Sequence, residues 1–241
     1  MMQKYKKKLI FTYFWKFIIK NMESSRKITL KYAYITDYFI KNNPNASSEL
    51  NYSNAFELCV AVVLSAQCTD KRVNSVTPHL FERYATPFAM AKADVNEILE
   101  FIKSVSYPNN KAKHLSGLSK VLVEKFNGEI PHSLEELQTL PGVGRKSANV
   151  ILSVIFQQPA MAVDTHVFRV SARIGLVENA KTPLETEKQL TAHFPKSILG
   201  LAHHWLILHG RYICLARKPK CEACGIKSVC DYYLGNSWYN R

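Results

Sequence analysis

Four cysteines close together in the last part of the chain constrain its fold more than any other feature of the sequence. They are Cys214, Cys221, Cys224 and Cys230, separated by six, two and five residues. Four thiolates within 17 residues can enclose one metal centre and so staple this segment into a loop. A zinc site usually has two close pairs of ligands, and only Cys221 and Cys224 form such a pair. The uneven spacing therefore suits a larger iron–sulfur cubane better.

Neighbouring basic residues and the remaining cysteines indicate what the array does and in which compartment the chain is found. The first loop of the array is surrounded by basic residues, which are Arg211, Arg217, Lys218 and Lys220. We favour a staple that presents this basic loop over a redox relay. Cys59 and Cys68 are isolated, and we expect them at a core position and at a helix end. This usage differs from a secreted disulfide scaffold and predicts a cytoplasmic chain with reduced thiols.

Capping signals and apolar periodicity predict an all-α fold. Asn54 and Glu57 have the spacing of an N-cap and its N3 partner, and seven consecutive apolar residues, 58–64, follow them. A helix with no polar face must be central and buried. Residues 133–136 and 182–185 have the same capping pattern. No alternating run is long enough for a strand, and no proline- or glycine-rich linker divides the chain.

The net charge indicates a polyanionic partner. Lysine and arginine outnumber the acidic residues 32 to 19, which gives a net charge of +13 and points to nucleic acid or an anionic membrane surface. The longest nearly apolar run, 9–19, is too short for a bilayer span of about 20 residues, so we exclude an integral membrane protein. Residues 1–21 carry six of the positive charges. We expect 1–27 to be an unstructured or spurious leader rather than a targeting signal, with Met22 as an alternative start.

Residues 140–146, LPGVGRK, join two helical segments through a tight turn. Proline ends the first helix, and the two glycines permit the reversal. The amides that open the second helix lack intrahelical acceptors, so a phosphate can bind there. An ordinary turn between helices would also contain glycine and proline, but the basic residues and the net charge favour phosphate. The residues predicted to grip a nucleic-acid backbone are Gly142, Val143, Gly144 and Arg145.

Lys146 and Asp164 form a candidate catalytic pair. Lys146 opens a helix that reaches about residue 156, and the connector 157–163 is long enough to return to the same end. Only a neutral amine attacks an electrophilic carbon, and the pKa of a free lysine is about 10.4. Desolvation must supply the shift, because Asp164 favours the charged form. The alternatives are a phosphate contact for Lys146 and a helix N-cap for Asp164, which is compatible with catalysis.

Several motifs in the same order make the chain similar to the endonuclease III family, bifunctional DNA glycosylases of the helix-hairpin-helix superfamily. The likeness runs from about residue 28 to residue 234. The motifs are LPGVGRKSANV at 140–150, VDTH at 163–166, the cysteine array, LSAQCTD at 64–70 and HHWLILHGRYIC at 203–214.

The resemblance implies two α-helical domains that flank a DNA-binding cleft. Residues 48–157 would form a helical barrel, with the helix-hairpin-helix at 134–156. Residues 28–47 and 158–234 would form the second domain, with a [4Fe–4S] cluster on the four cysteines, and 235–241 would be a C-terminal tail.

The resemblance also implies an activity. The enzyme would remove oxidised pyrimidines from duplex DNA through a Schiff base on Lys146 and then cleave the abasic site by β-elimination. Asp164 would stabilise the sugar cation or assist Lys146, and Gln67 would fill the gap left by the extruded base. Where the family often has a Leu-Tyr-Asn-type loop that inserts into the base stack, this chain has SYPNN at 106–110. Tyr107 can still insert there by stacking on the bases. The choice of opposite base is open.

The expected partner is double-stranded DNA that contains damaged pyrimidines or abasic sites. We expect a monomer in the bacterial cytoplasm, associated with the nucleoid and not with a membrane. Arg145, Lys146, Arg217, Lys218 and Lys220 would line one DNA-facing groove.

Two alternatives remain. An adenine glycosylase of the same superfamily shares the hairpin and the cysteine array. It lacks the lysine, however, and carries a catalytic glutamate about where this chain has Ala61. A non-catalytic DNA-binding module would use Lys146 and Arg145 only to hold phosphate.

Overall fold

The computed structural model describes residues 26–235. Within this range the chain forms α-helices and short 3₁₀ turns without a β-strand, which confirms the all-α prediction. Residues 26 and 27 are already helical. The rest of the predicted leader, 1–25, and most of the predicted tail, 236–241, lie outside the described residues. No helix in the described part of the chain has the length and apolar composition that a bilayer span requires.

Eleven helices make up the described chain. They are α1 (26–42), α2 (Ala55–Ser65), α3 (Asp70–Arg83), α4 (Pro87–Ala91), α5 (Val95–Ile102), α6 (Pro108–Phe126), α7 (Leu134–Leu137), α8 (Arg145–Ile155), α9 (Thr165–Ile174), α10 (Pro183–His193) and α11 (Leu199–Tyr212). The 3₁₀ turns are Lys196–Ile198, Cys221–Ala223 and Lys227–Val229.

Side-chain caps open most of the helices where the sequence predicts them. The side chain of Asn54 accepts a 3.0 Å hydrogen bond from the Glu57 amide at the start of α2, and Ser133 does the same for α7. The Glu57 carboxylate reaches one residue further back and accepts from the amide of Ser53. Each bond satisfies an amide that the first turn of a helix leaves without an intrahelical acceptor.

The buried apolar side chains between Leu50 and Ala162, except Met161, form one hydrophobic core, which we name the central core. Helix α2 lies at its middle and packs against α3, α6 and α8. Residues 58–64 of α2 are all buried, including Cys59. A helix without a polar face is buried on every side, as its sequence predicts.

A second core, named here the terminal core, combines buried residues of 32–46 with those of 161–230. Helix α1 packs there beside α9, α10 and α11. Lys31 of α1 donates to the carbonyl of Ile174 at 2.9 Å and forms a 2.7 Å ion pair with Asp231. Trp205 of α11 donates to the carbonyl of Asn43 at 2.8 Å. The two ends of the described chain are therefore tied together.

The two cores meet where α8 packs against α11. Helix α8 contributes buried residues to the central core, and α11 contributes buried residues to the terminal core. The first turn of α8 carries Lys146, so this candidate nucleophile lies at the boundary between the two cores.

Candidate active site and nucleic-acid interface

Lys146 faces a cavity between the two cores. The cavity is lined by residues of the segment before α2 and of helices α2, α3, α8 and α11, among them Asp70, His203 and Arg211. Burial lowers the pKa of Lys146 below its ordinary value. The carboxylates of Asp164 and Asp70 act in the opposite direction, and the charge of Arg211 adds to the lowering. The net change in the pKa is a lowering, which makes the neutral amine more accessible, and desolvation is its largest cause, as predicted.

Asp164 is the N-cap of α9. Its Oδ1 accepts a 2.8 Å hydrogen bond from the amide of Val167, which holds the carboxylate in place. The preceding connector is also held, because the side-chain amide of Asn149 in α8 donates to the carbonyl of Met161. The connector returns the chain to the start of α8, and the charge of Asp164 acts on Lys146. Its capping role is confirmed, and Oδ1 is the carboxylate oxygen that makes the capping bond.

An arginine that the sequence analysis placed beside the cysteine array, and not at the catalytic site, also lines the cavity. Arg211 of α11 donates to Asp70 Oδ2 at 2.5 Å and also forms an ion pair with Glu49. The hydroxyl of Tyr212 donates to the same glutamate at 2.6 Å. The positive charge of Arg211 thereby offsets the negative charges of two carboxylates that line the same cavity as Lys146. Asp70 and Arg211 both lie within motifs that carry the family resemblance, which is the signal that could have found them.

A buried histidine completes the cavity wall. The Nδ1 of His203 donates to the carbonyl of Ala162 at 2.7 Å. Burial holds the pKa of His203 well below its ordinary value, and the nearby His204, Lys146 and Arg211 lower it further. The ring is therefore neutral at neutral pH, and it adds no positive charge beside Lys146.

The turn between α7 and α8 is open toward solvent at one glycine. Gly142 has a left-handed backbone with φ of 81°, and a side chain there would approach His114 to 3.0 Å. Gly144 is the N-cap of α8, and no atom lies within 4 Å of the place where a Cβ would be. Val143 is buried in the central core, so only its backbone can meet a ligand. The arrangement leaves the first amides of α8 accessible to a phosphate.

The basic residues of the predicted groove differ in whether a carboxylate already binds them. Arg145 forms a bidentate pair with Glu187 of α10, with its Nε 3.0 Å from Oε2 and its Nη2 2.6 Å from Oε1. A phosphate would have to share this guanidinium with the carboxylate. Arg217, Lys218 and Lys220 are exposed. Their contact with DNA stays a prediction.

Gln67 and Tyr107 lie in two loops that touch each other. Both have a left-handed backbone with φ of 53°. The hydroxyl of Ser106 donates to the carbonyl of Gln67 at 2.6 Å and so joins the loops. The side chain of Tyr107 is 62% exposed. The two residues that the resemblance assigns to probing the duplex are therefore neighbours, and the tyrosine is free to stack.

The four cysteines line one cavity together with Ile174 and His209. Arg173 donates to the carbonyl of Leu215 at 2.7 Å, and Arg169 donates to that of Cys214. These bonds hold the first loop of the array against α9. A set of four thiolates around one largely apolar cavity has the donor chemistry of an iron–sulfur cluster.

The chain matches the models of two protein families. The first, described as HhH-GPD superfamily base excision DNA repair protein, matches residues 60–196. The second, the iron-sulfur binding domain of endonuclease III, matches residues 214–230. Endonuclease III of Rickettsia prowazekii is 50% identical over 200 residues, which cover 83% of this chain and 94% of that protein. The chain belongs to the endonuclease III family.

Other relatives and solved structures agree with this assignment. Endonuclease III of Escherichia coli K12 is 44% identical over 192 residues, which cover 80% of this chain and 90% of that protein. A solved structure of endonuclease III trapped as a covalent intermediate with DNA superposes with a TM-score of 0.82 at 44% identity. The match covers 86% of this chain and 97% of that one.

As a member of the endonuclease III family, the chain is a DNA glycosylase with AP lyase activity. It acts in the base excision repair of oxidised pyrimidines, and DNA is its partner. Its cofactor is a [4Fe–4S] cluster. The adenine glycosylase alternative is not favoured, and Ala61 is buried in α2 without an ionisable group.

Proposed function

We propose that Lys146 is the nucleophile for the removal of oxidised pyrimidines from duplex DNA and for the cleavage of abasic sites. The observation that carries this proposal is the position of its amine in a cavity where burial lowers the lysine pKa despite two nearby carboxylates. A neutral amine is the form that attacks carbon. The cavity also lies beside the hairpin that is open to a phosphate, so a nucleotide turned out of the duplex has a place to enter.

The proposed reaction begins when the lone pair of the Lys146 amine attacks C1′ of the damaged nucleotide. The N-glycosidic bond breaks, and the base leaves with the bonding electron pair. Asp164 stabilises the positive charge that develops on the sugar, because its capped carboxylate has an oxygen that makes no capping bond. Alternatively, it accepts the proton that the nitrogen loses once the new bond has formed.

In the second step the sugar ring opens, and the nitrogen of Lys146 becomes part of a Schiff base. The positive charge on this nitrogen acidifies the proton on C2′. Loss of that proton breaks the bond between C3′ and its phosphate oxygen, which cuts the strand by β-elimination. Water then releases Lys146 from the sugar fragment.

We further propose how the DNA is held. The amides of Gly144 and Arg145 bind a backbone phosphate, and the exposed Arg217, Lys218 and Lys220 bind others. Gln67 fills the space left by the extruded base, and Tyr107 stacks between neighbouring bases. The four cysteines hold the [4Fe–4S] cluster and keep the basic loop folded.

The central core and the terminal core support a division into two domains, 48–157 and 28–47 with 158–234, around the DNA. We propose that one such chain acts as a monomer, on the nucleoid of a bacterial cytoplasm.

Borohydride reduction tests the proposed nucleophile. We expect the wild-type protein to be trapped covalently on a duplex with thymine glycol or an abasic site, and Lys146→Gln to abolish trapping. Lys120→Gln is the matched control, since it removes an exposed lysine of α6 and should leave trapping unchanged. A wild-type protein that gives no adduct, or a Lys146→Gln protein that still gives one, would overturn the proposal.

A further inference from the structure

We propose that Lys111 is a positioning residue that holds Gln67 and Tyr107 at the separation required to enter a DNA duplex. The inference rests on the proposed function, because it concerns the two residues assigned there to probing the duplex. Lys111 itself touches neither the reacting sugar nor Lys146 in this proposal. It acts through the two loops that carry the probing side chains.

Lys111 is a buried cation in an otherwise apolar stripe of α6. It is 4% exposed and precedes Leu115, Leu118 and Leu122 at helical spacing on the buried face. A leucine at this position would continue the stripe. Burial of a charged side chain costs free energy unless hydrogen bonds replace the lost water, so the lysine must make bonds that an apolar residue cannot.

Three oxygen atoms accept these bonds. The Nζ of Lys111 donates to the carbonyl of Leu64 at 2.8 Å, to the carbonyl of Ala66 at 2.7 Å and to the hydroxyl of Ser106 at 3.3 Å. The two carbonyls belong to the C-terminal end of α2, where acceptors lack intrahelical partners and the helix dipole favours a cation. The lysine therefore caps α2 and, through the same nitrogen, reaches the loop before α6.

The residues next to these acceptors are two of the six described non-glycine residues that have a positive φ. Gln67 follows Ala66, and Tyr107 follows Ser106. Each adopts the left-handed region, which residues other than glycine rarely occupy. Tyr107 also precedes Pro108, and a residue before proline is disfavoured in helical conformations. Such conformations persist where surrounding contacts enforce them, and they cluster at functional sites.

One connected set of hydrogen bonds joins the two loops. Lys111 binds the carbonyl before Gln67 and the hydroxyl before Tyr107, and the same hydroxyl of Ser106 donates to the carbonyl of Gln67. A shift in either loop would break bonds in both. The separation of the two probing side chains is thus set by Lys111 and Ser106 before DNA binds, which is the requirement for two groups that enter the same base stack.

Enzyme kinetics on two DNA forms separate positioning from general stability. A duplex lesion requires both probing residues, whereas cleavage of a single-stranded abasic oligonucleotide requires only the cavity around Lys146. For Lys111→Met we expect kcat/KM on a thymine-glycol duplex to fall about 10- to 100-fold, because small misplacements have effects of that size. Cleavage of the single-stranded abasic oligonucleotide should stay within about twofold of wild type, a difference too small to reflect misplacement.

The control and the second variant use neighbouring residues. Lys120→Met removes the same charge from an exposed position of α6 and should behave as wild type on both DNA forms. Ser106→Ala removes only the bridge between the loops and should lower duplex cleavage by less than Lys111→Met. A 2-aminopurine base opposite a non-reactive abasic analogue reports insertion directly, and its fluorescence change should be reduced for Lys111→Met and Ser106→Ala.

Each outcome decides the inference. Unchanged duplex cleavage by Lys111→Met, or equal losses on duplex and single strands, would overturn it. If Lys111→Met does not fold, Ser106→Ala decides, and unchanged duplex selectivity together with an unchanged fluorescence response would overturn the inference. Failure of the wild-type enzyme to remove thymine glycol would instead contradict the proposed function.

Discussion

The central core and the terminal core are both helical, but they bury different kinds of side chain. Among the described residues, Lys111 is the only lysine or arginine whose side chain is buried with the central core. The terminal core buries three cations and three histidines, which are Lys31, Arg169, Arg173, His203, His204 and His209. Hydrogen bonds from buried cations to backbone carbonyls therefore come from Lys111 alone in the first core and from Lys31, Arg169 and Arg173 in the second, among the described residues.

The terminal core buries more cations because it must hold a segment that has little regular secondary structure. The central core packs helices, and within each helix the backbone groups hydrogen-bond to one another. The terminal core must hold the segment 213–230, which contains only two short 3₁₀ turns. Arg169 and Arg173 supply donors for its carbonyls, and the cluster supplies the remaining constraint. We therefore expect the terminal core to depend on iron and the central core to be independent of it.

Loss of a cluster ligand should produce the largest difference in stability between the two cores. We expect Cys224→Ser to lose the broad visible absorbance and most of its iron, about four atoms per chain in the intact protein. Residues 213–230 should then become sensitive to protease, whereas the segment from Leu50 to Ala162 should survive as a protected fragment. Iron analysis and limited proteolysis with mass spectrometry measure both effects.

Cys59→Ala is the matched control for this experiment. It removes a cysteine that is buried in the central core and is distant in sequence from the array. Full iron content is expected. Simultaneous digestion of both cores in Cys224→Ser would show that the central core also depends on the cluster.

Truncation in the central core should have the second largest effect. Leu58 of α2 has no exposed surface, and Leu58→Ala should lower the free energy of unfolding by about 2–5 kcal/mol through lost contacts and a cavity. The folded fraction should retain its full iron content, because the cysteines lie in the other core. Chemical denaturation and iron analysis test this, and loss of iron from folded protein would contradict the independence of the two cores.

Charges at the boundary between the cores should produce the smallest effect, a shift in pH dependence. Asp164 raises the pKa of Lys146, so Asp164→Asn should move the acid limb of borohydride trapping to lower pH while it reduces the plateau rate. Arg211 lowers the pKa of Lys146, so Arg211→Met should move the acid limb to higher pH. The rate of trapping on an abasic duplex, measured across pH, gives both shifts.

Asp37→Asn serves as the control for these shifts, because it removes an exposed carboxylate from α1 that pairs with Lys41. The acid limb of its pH profile should match that of wild type. Shifts of the same sign in Asp164→Asn and Arg211→Met would refute the electrostatic account of the cavity.

Features that depend on neighbouring residues in the sequence were predictable. The caps at Asn54 and Ser133 act within three residues, and the continuous apolar run in α2 requires burial on every side. The approach of Asp164 to the start of α8 followed from the rise of a helix and the reach of its connector. Motif similarity then pointed to their roles.

Features that depend on distant residues were not predictable in the same way. Glu49 and Arg211 are separated by 162 positions, and Arg145 and Glu187 by 42. Lys111 interrupts an apolar stripe, which is a signal of something unusual, but its carbonyl acceptors lie 45 and 47 residues away. The left-handed backbone of Tyr107 contradicts its local preference before proline. Long-range contacts override local preferences at these positions.

The contact between Lys31 and Asp231 has a consequence for synthesis on the ribosome. Helix α1 emerges early, but its ion-pair partner follows 200 positions later. The terminal core therefore stays incomplete until nearly the whole described chain has been translated. The central core uses one continuous stretch and can fold first, since domains usually fold as units during translation. The emerging α1 must keep its apolar face from wrong partners until then.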